Sequence, residues 1–465
     1  MATKRVEKHN GTEENQEPTN MLGDRISNLP DAIIHLILSF LPTVDAVRTC
    51  LLSKRWRHMW TSLPVLYLCD NNNSQPKKFF KFVNECLKRY ADVDVTRFKL
   101  SMAYHEGRSH GYRWFRFPLR WNLKELDIQI CARSFALSRL PPDIFHLRTL
   151  TLLKLYGVML ASLNSPISLP SLKVLELWYD QIDDRMLTNL LLGAPSLEKL
   201  RLKLCSGLVD PQVVSLSLKF MEFKNDWFHH CKTITVEAPN LHSFVYDESN
   251  DNCLRKNCTL NLVSCGAIRN LLLSRAVLRD KWLEDLISQL PLLESLHLTA
   301  CYGLKHIQIW NQQLKHITLS GDYGQLVDSK VVAAINTPNL ISFTHHDGNA
   351  ISMYGLSLCA PKLLNANIEI NLGRWRIYDM VWYTDLISFL SELNCSKNVR
   401  ISASNEKALI IPEELREIYS SPLPDLKHLK VKVKTGIPLF RKKLRNSLLW
   451  LSPSLDTLSI EYKYL

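Results

Sequence analysis

The stretch Asp24–Leu68 decides the fold of the N-terminal part of the chain, and it reads DRISNLPDAIIHLILSFLPTVDAVRTCLLSKRWRHMWTSLPVLYL. Two short apolar runs each begin beside a Leu-Pro pair, and a basic run with tryptophans follows them. Pro30 fits the first position of a helix, because its missing N–H is not needed there and its fixed φ is helical. The pattern predicts three short helices. Thr43 or Asp45 is the predicted cap of the second helix and Ser53 that of the third.

The first predicted helix carries apolar residues over a wide arc. They recur at spacings of one, three and four residues: Ile33, Ile34, Ile37, Leu38 and Leu41. A module of about 40 residues is too small to bury all of this apolar surface by itself. The apolar surface that stays unburied has two interpretations. It is either a face that binds a helix of a partner protein or the end of a larger core in the same chain.

This segment resembles an F-box, in the version found in the large plant family of F-box/leucine-rich-repeat proteins. The order and spacing of five runs carry the resemblance: Leu29-Pro30-Asp31, Ile37–Pro42 (ILSFLP), Asp45–Arg48 (DAVR), Leu52–Arg57 (LSKRWR) and Trp60. The resemblance implies docking onto a Skp-type adaptor and, through it, onto a cullin–RING ubiquitin ligase. It implies adaptor contacts at Leu29, Pro30, Ile33, Ile37, Leu41, Pro42, Val47, Cys50, Leu52, Ser53 and Trp56. For Ile33 and Val47, packing within the module is the alternative.

From about residue 120 onwards the phrase Leu-x-x-Leu-x-Leu recurs. Copies start at Leu147, Leu172, Leu197, Leu293, Leu314, Leu426 and Leu455, the one at Leu314 being looser. The first three copies lie 25 residues apart, within the period of leucine-rich repeats. Each phrase predicts a short parallel strand, and neighbouring repeats must stack because none can bury its apolar face alone. The predicted fold is α/β: a short N-terminal three-helix F-box followed by an irregular leucine-rich-repeat solenoid, a horseshoe with a parallel sheet.

The segments between the phrases are expected to form the outer side of the horseshoe. Asp183–Leu192 and Asp280–Leu290 have helical periodicity, and the other returns are expected to be irregular. A repeat of about 25 residues predicts roughly ten to twelve turns. Cys205 and Cys301 follow their phrases at the position where these repeats take Asn or Cys, so we expect both thiols to satisfy the turning backbone.

The predicted organisation has four parts: a disordered leader (1–22), the F-box (23–69), a linker and capping segment (70–120) and the repeat array (121–465). In the third part, Lys77–Tyr90 predicts an amphipathic helix and Val95–Met102 a first, atypical strand. Gly107–Trp121 is rich in Arg and aromatic residues. Such residues are favoured at protein interfaces, and ordinary packing under a return of the solenoid is the alternative. Many members of the family carry a further domain, called FBD, after the repeats. Here it is either absent or merged with the array.

The net charge of +12 comes from 57 Lys and Arg against 45 Asp and Glu. Asp425–Leu465 holds nine Lys or Arg and three Asp or Glu, so this stretch contributes half of the excess. Within it, Leu429–Lys434 (LKVKVK) alternates with period two, which predicts a strand with buried valines and lysines towards solvent. Nucleic-acid binding is the alternative interpretation, but the sequence lacks a recognition helix and an RNA-binding signature, so we predict no nucleic-acid partner.

Several classes of protein are excluded by what the sequence lacks. Its longest apolar run falls far below the ~20 residues of a membrane span, and the polar N-terminus is no secretory signal. We therefore expect an intracellular protein, in the nucleus and/or the cytoplasm, with reduced cysteines. His229-His230-Cys231 with Cys253, Cys258 and Cys265 matches no zinc spacing, which favours structural cysteines and no metal.

No catalytic motif is present in the sequence: there is no phosphate loop, serine elbow or HExxH helix. The pairs His229-His230 and His345-His346 are predicted to lie on the surface or in loops. We expect a protein that is not an enzyme and needs no cofactor. The hypothesis is the substrate-recognition subunit of an SCF-type (Skp-cullin-F-box) ubiquitin ligase, whose repeats bind a target protein for ubiquitination and degradation. The alternative is a leucine-rich-repeat binding scaffold that takes no part in a ligase.

Overall fold

The structure is a computed structural model, and it describes residues 26, 28–70, 76–102, 114–131, 138–160, 166–225, 231–248, 258–262, 264–321, 332–347, 355–370, 378–434 and 440–463. The predicted leader lies outside the described residues. Among the helices in these ranges, none is long and apolar enough to cross a membrane.

The N-terminal module consists of three short helices. They are α1 (Asp31–Ser39), α2 (Thr43–Arg48) and α3 (Trp56–Met59), with 3-10 turns at Thr49–Leu51 and Trp60–Ser62. Pro30 and Pro42 directly precede α1 and α2, with extended ψ values of 146° and 144°. Each proline is therefore the N-cap residue of the helix that follows. The predicted place of Pro30 at the first helical position is wrong by one residue, because its extended ψ puts it outside the helix.

One parallel sheet of sixteen strands runs through the rest of the described chain. Its strands, in spatial order, are β1 (Val65–Cys69), β2 (Arg97–Met102), β3 (Glu125–Ile130), β5 (Leu152–Tyr156), β7 (Val174–Trp178), β8 (Lys199–Lys203), β10 (Phe220–Asn225), β12 (Ser243–Glu248), β14 (Asn270–Ser274), β15 (Ser295–Thr299), β17 (His316–Gly321), β19 (Ser342–Asp347), β21 (Asn365–Ile370), β22 (Asn398–Ala403), β23 (His428–Lys434) and β24 (Thr457–Lys463). Spatial order follows chain order, which is the arrangement of a solenoid.

Strands pair in constant register, so equivalent side chains form rows across the sheet. Leu175, for example, lies between Leu153 and Leu200, and all three are fully buried. Because side chains alternate along a strand, one face of the sheet carries the leucine rows and the other carries the residues between them. We call this second side the open face. The predicted solenoid with its parallel sheet is confirmed.

The outer side of the solenoid is more regular than the sequence predicts. The chain returns through helices α4 (Pro76–Arg89), α5 (Asp184–Gly193), α6 (Asp280–Gln289), α7 (Met380–Ser391), α8 (Glu413–Ile418) and α9 (Arg441–Leu451). Elsewhere it returns through short parallel strands: β4 (Ser138–Arg139) with β6 (Val158–Met159), β9 (Gln212–Val214) with β11 (Thr233–Glu237) and β13 (Thr259–Asn261), and β16 (His306–Trp310) with β18 (Val332–Asn336) and β20 (Leu356–Cys359). The predictions of helices α4, α5 and α6 are confirmed. The expectation of irregular structure is wrong for those other returns that contain the helices and short strands given above.

The prediction of ten to twelve turns is also wrong, because sixteen strands line the main sheet. The strand expected at Val95–Met102 is β2, so that prediction is confirmed. Four other strands, β1, β3, β10 and β22, lie where no strand is predicted from the sequence. Both β1 and β2 precede residue 121. Since β1 pairs in register with β2, and β2 with β3, we propose that the repeat array begins at Val65.

The turns after the strands are held by buried polar side chains. Cys205 Sγ donates to the carbonyl oxygen of Leu177 at 3.5 Å, and Cys301 Sγ donates to that of Leu273 at 3.3 Å. Both thiols follow a residue with positive φ, which is where the backbone turns away from the sheet. The predicted structural role of these two cysteines is confirmed. Burial raises the pKa of Cys301 to about 12.

His345 lies inside the core, so its prediction as a surface or loop histidine is wrong. It occupies an inward position of β19 between Leu319 and Ile368 of the neighbouring strands and is 3% exposed. Burial lowers the pKa of this imidazole to about 4. Among the described residues its Nε2 has no hydrogen-bond partner. His346, next along the strand, points to the open face and lies 2.9 Å from Glu369.

Replacing His345 by Leu, the residue type at the equivalent position of β17, is predicted to make the protein more resistant to acid. Between pH 6.5 and pH 4 the unfolded chain binds a proton on His345 that the folded chain does not, so the stability of the natural protein falls as the pH falls. At pH 5 this loss amounts to about 2 kcal/mol. Urea unfolding at pH 7.5 and pH 5 measures it. The prediction would be contradicted if the difference in free energy of unfolding between the two proteins were the same at both pH values.

Candidate functional site

Helix α1 is apolar on two opposite sides. Ile34 and Leu38 point inwards and are fully buried, whereas Ile33, Ile37 and Phe40 are 41%, 39% and 77% exposed. A helix that is apolar all round is normally covered on all sides. The outward side of α1 is therefore a candidate binding surface.

This exposed surface extends to the end of the second helical segment. Between residues 26 and 52 lie seven of the 21 exposed large hydrophobic residues found in the described part of the chain: Ile26, Ile33, Leu36, Ile37, Phe40, Leu51 and Leu52. Single exposed apolar residues are ordinary, but a third of the total in one short segment indicates a contact surface. We refer to these seven residues as the apolar face.

Polar contacts on the rim of the module fix the helices relative to one another. The Arg55 guanidinium donates to the carboxylate of Asp31, which joins α3 to the start of α1. Ser62 Oγ lies 3.1 Å from His35 Nε2. These contacts are largely exposed, so each contributes little energy, but together they set the angle at which α1 presents its outer side.

The module is joined to the sheet by buried contacts. Thr43 Oγ1 accepts a hydrogen bond of 2.9 Å from the backbone N–H of Tyr67 in β1, and Thr43 itself is buried. The Tyr90 hydroxyl, just after α4, donates to the carbonyl oxygen of Trp60. The rings of Trp60 and Tyr90 lie 6.2 Å apart. One continuous core therefore links the module to the first repeats.

A cleft of about 430 Å³ opens between the module and α4. Val47, Cys50 and Trp60 line it from the module, and Phe82 and Arg89 line it from α4. The Arg89 guanidinium lies 5.7 Å from the centre of the Trp60 ring. The cleft borders two of the residues expected to contact an adaptor, Val47 and Cys50, and so extends the candidate surface towards the repeats.

The structure divides the predicted contact residues into three groups. Exposed are Pro30, Ile33, Ile37 and Leu52, and half-buried are Leu29, Leu41, Pro42, Val47, Cys50 and Ser53. Trp56 is only 2% exposed. We therefore correct its role to packing inside the module, because a ring that fills the space between helices cannot also reach a partner.

Two details of the module differ from the prediction. Neither Thr43 nor Asp45 caps α2, since Pro42 occupies the cap position and the Thr43 hydroxyl is used by β1. Ser53 does not cap α3, which begins at Trp56, and its Oγ is buried without a partner among the described residues. Proline has no side-chain acceptor, so α2 begins without a side-chain cap.

Sequence reasoning missed Leu36, Phe40 and Leu51 as surface residues. They are 53%, 77% and 90% exposed. The signal available was the position of Leu36 and Phe40 four residues apart, on a helix whose inward side was already filled by Ile34 and Leu38. Leu51 lies in a 3-10 turn, where helical periodicity gives no reliable direction.

The segment 107–121 is described only from residue 114. Three of its four aromatic residues in this part pack inwards: Trp114, Phe115 and Trp121 are at most 6% exposed, whereas Phe117 is half-buried. Trp114 Nε1 donates to Asn84 Oδ1 at 2.8 Å. For the three buried residues packing is the correct interpretation and an interface is not. His229, His230 and Cys253 lie outside the described residues, and Cys231 Sγ donates to the carbonyl oxygen of Leu208 at 3.4 Å.

The open face of the sheet is a second candidate surface. Its middle row starts with Tyr67 on β1. Six charged residues of alternating sign follow on β2, β3, β5, β7, β8 and β10: Lys99, Asp127, Lys154, Glu176, Arg201 and Glu222. Neighbours pair across the strands, for example Lys154 Nζ with Glu176 at 3.4 Å and Arg201 Nη1 with Glu176 at 3.0 Å. We call this row the charge ladder.

The fold defines a repeat protein with an N-terminal module of three short helices. The F-box domain family model matches residues 26–68, and a model described as "FBD-associated F-box protein At5g56370, LRR repeats" matches residues 112–266. The chain belongs to the plant F-box/LRR-repeat protein family.

Relatives in Arabidopsis thaliana support this assignment. The F-box/LRR-repeat protein At3g18150 is 30% identical over 329 residues, which cover 68% of this chain and 64% of the relative. F-box/LRR-repeat protein 25 is 32% identical over 237 residues, which cover 50% of this chain and 88% of the relative. The chain thus spans just under two thirds of the first relative's length. The solved structure of YopM from Yersinia enterocolitica WA-314 is 15% identical, with a TM-score of 0.32 and coverage of 85% of this chain and 84% of that one.

The hydrogen bond between Thr43 and Tyr67 provides a test of how firmly the module is attached. Thr43→Val keeps the shape of the side chain but leaves the Tyr67 N–H without its acceptor. We expect a loss of about 1–3 kcal/mol in the stability of the junction. Hydrogen exchange followed by mass spectrometry should show faster exchange in β1 and α2. Thr43→Ser retains the hydroxyl and serves as the control, so equal exchange in the two variants would contradict the assignment.

Proposed function

We propose that the protein is the substrate-recognition subunit of an SCF-type ubiquitin ligase. The F-box module docks onto a Skp-type adaptor, and the repeat sheet binds a target protein. The apolar face, which extends from Ile26 over α1 to the 3-10 turn after α2, is the observation that carries this proposal. An exposed apolar surface on a small helical module is typical of helix-in-groove recognition. Membership of the F-box/LRR-repeat family supports it.

The proposed adaptor contacts follow from exposure. Ile33, Ile37 and Leu52, together with Leu36, Phe40 and Leu51, supply the apolar centre of the interface. The half-buried members of the predicted set surround this centre: Leu29, Leu41, Pro42, Val47, Cys50 and Ser53. Large apolar side chains at the centre of an interface contribute most of the binding energy, and their neighbours mainly exclude water.

In this function the chain catalyses no step itself. Its contribution is geometric, because a target held on the sheet and an adaptor held on the module are kept at a fixed separation. The buried contacts of Thr43 and Tyr90 support such a rigid connection. Holding the target near the transfer machinery raises the effective concentration of its lysines. The proposal implies action inside the cell, in the nucleus or the cytoplasm, where such ligases work.

The adaptor contact is tested with the double variant Ile33→Asp/Ile37→Asp. Both side chains point to solvent, so we expect the variant to fold normally and to bind a purified Skp-type adaptor at least about 100-fold more weakly, since two buried carboxylates would lack partners in the complex. Isothermal titration calorimetry measures the affinity. Melting temperatures confirm that the fold is intact.

The matched control is Leu192→Asp/Leu216→Asp, which introduces the same charges at positions on the repeat array that are 77% and 76% exposed. It should bind the adaptor as the intact protein does. Absence of adaptor binding by the well-folded intact protein would refute the proposal and favour the alternative, a leucine-rich-repeat scaffold outside any ligase. Equal binding by intact protein and the Ile33→Asp/Ile37→Asp variant would place the contact elsewhere on the molecule.

A further inference from the structure

The last three strands of the main sheet carry an excess of positive charge on the open face. Outward residues of β22, β23 and β24 include five cations: Arg400, Lys430, Lys432, Lys434 and Lys463. Glu461 is the single acidic residue in the sequences of these three strands. We call these five cations the basic end.

The rest of the middle row on the open face is neutral overall. In the charge ladder, cations and carboxylates alternate and pair with each other. After the ladder the row continues over β12 to β21 with Val245, Leu272, His297, Thr318, Thr344 and Asn367. It becomes charged again only at Arg400 and Lys430. Within the described row, then, like charges stand side by side at one end only.

Part of the basic end is already neutralised. Lys430 Nζ lies 2.5 Å from a carboxylate oxygen of Glu461, and Lys434 Nζ lies 2.8 Å from one of Glu369. Arg400 and Lys432 make no ion pair with any other residue that the structure describes. The pKa of Glu461 is lowered by its hydrogen bond with Lys430 and further by the charges of Lys430, Lys432 and Arg400. An added carboxylate would meet a positive potential here.

We propose that the basic end binds an acidic, extended segment of the target protein. This inference rests on the proposed function, because it names the chemistry of the target at the repeat sheet. Neighbouring strands lie ~4.8 Å apart, so three spacings from β21 to β24 cover ~14 Å, or about four residues of an extended peptide. A short run of Asp or Glu would therefore meet Arg400 and Lys432 as it crosses the strands, and the neighbouring uncharged row would offer hydrogen bonds to the residues beside it.

A protein segment fits this surface better than nucleic acid does. Single-stranded nucleic acid binds where aromatic side chains stack on the bases, and the outward residues of β22–β24 include none that is Phe, Tyr or Trp. Duplex binding needs many phosphate contacts, whereas the basic end offers only two cations, Arg400 and Lys432, that form no ion pair with a described residue. Charge complementarity of this kind mainly governs specificity and the rate of association.

The probe for this inference is a fluorescein-labelled peptide of alternating Glu and Ser, titrated with the full chain and followed by fluorescence anisotropy. The test variant is Arg400→Glu/Lys432→Glu. The control is Lys442→Glu/Lys443→Glu, which changes the net charge equally but lies on α9, where Leu444 and Leu448 face the core and both lysines are exposed. We expect about tenfold weaker binding in the test variant and less than about a twofold change in the control. Binding of the intact chain should weaken as salt is raised.

Three results would overturn the inference. One is absence of peptide binding by the intact chain, and another is an equal loss of affinity in the two variants. The third is tighter binding of an oligothymidine of equal charge than of the peptide, which would indicate a nucleic-acid surface. The same proteins are also titrated with the Skp-type adaptor. Peptide binding without adaptor binding would support the proposal for the basic end and refute the ligase proposal. Adaptor binding without peptide binding would support the ligase proposal and refute the proposal for the basic end.

Discussion

The whole molecule depends on the stacking of leucine rows in one parallel sheet. A single repeat leaves its apolar side exposed, so each strand is stable only because its neighbours in register cover it. Leu153, Leu175 and Leu200 show the principle: each is fully buried by strands that lie about 25 residues away in sequence. The N-terminal module joins this stack through β1 and through the packing of Trp60 against Tyr90. The N-terminal module and the repeat sheet thus share one core.

Every second side chain of a strand is buried in the core, so the side chains between them can differ from strand to strand without affecting the packing. The charge ladder, the neutral row and the basic end succeed one another on the open face without a change in backbone geometry. The constant register also means that neighbours on this face always meet at the same spacing. Ion pairs such as that of Lys154 with Glu176 follow directly from this constraint. Binding chemistry can vary here while the fold stays the same.

The sequence predicts the fold where local pattern and tertiary packing agree. The phrases starting at Leu172 and Leu197 become β7 and β8, and the alternation of LKVKVK becomes β23 with Val431 and Val433 buried. The phrase predicted at Leu147 is out of register by three residues, because Leu153 and Leu155 of β5 are the partners of Leu175 and Leu177. It fails where packing overrides pattern. His345 is buried because neighbouring strands fix its row, not because of its own polarity. Trp56 matches a motif position, yet only the arrangement of the three helices shows that it points inwards. Exposure at the docking module, as at Leu51, likewise depends on contacts that one sequence does not contain.

The cysteines that hold the turns have a consequence for chemistry in solution. A thiol with a pKa of about 12, such as Cys301, is ionised in only about one molecule in 10⁵ at neutral pH. Since the thiolate is the form that reacts with alkylating reagents, Cys301 stays inert while its repeat is closed, and it is shielded by burial as well. When that repeat opens, the pKa returns towards its usual value and the sulfur becomes accessible. The residue that completes the turn is therefore also a built-in reporter of local opening of the solenoid.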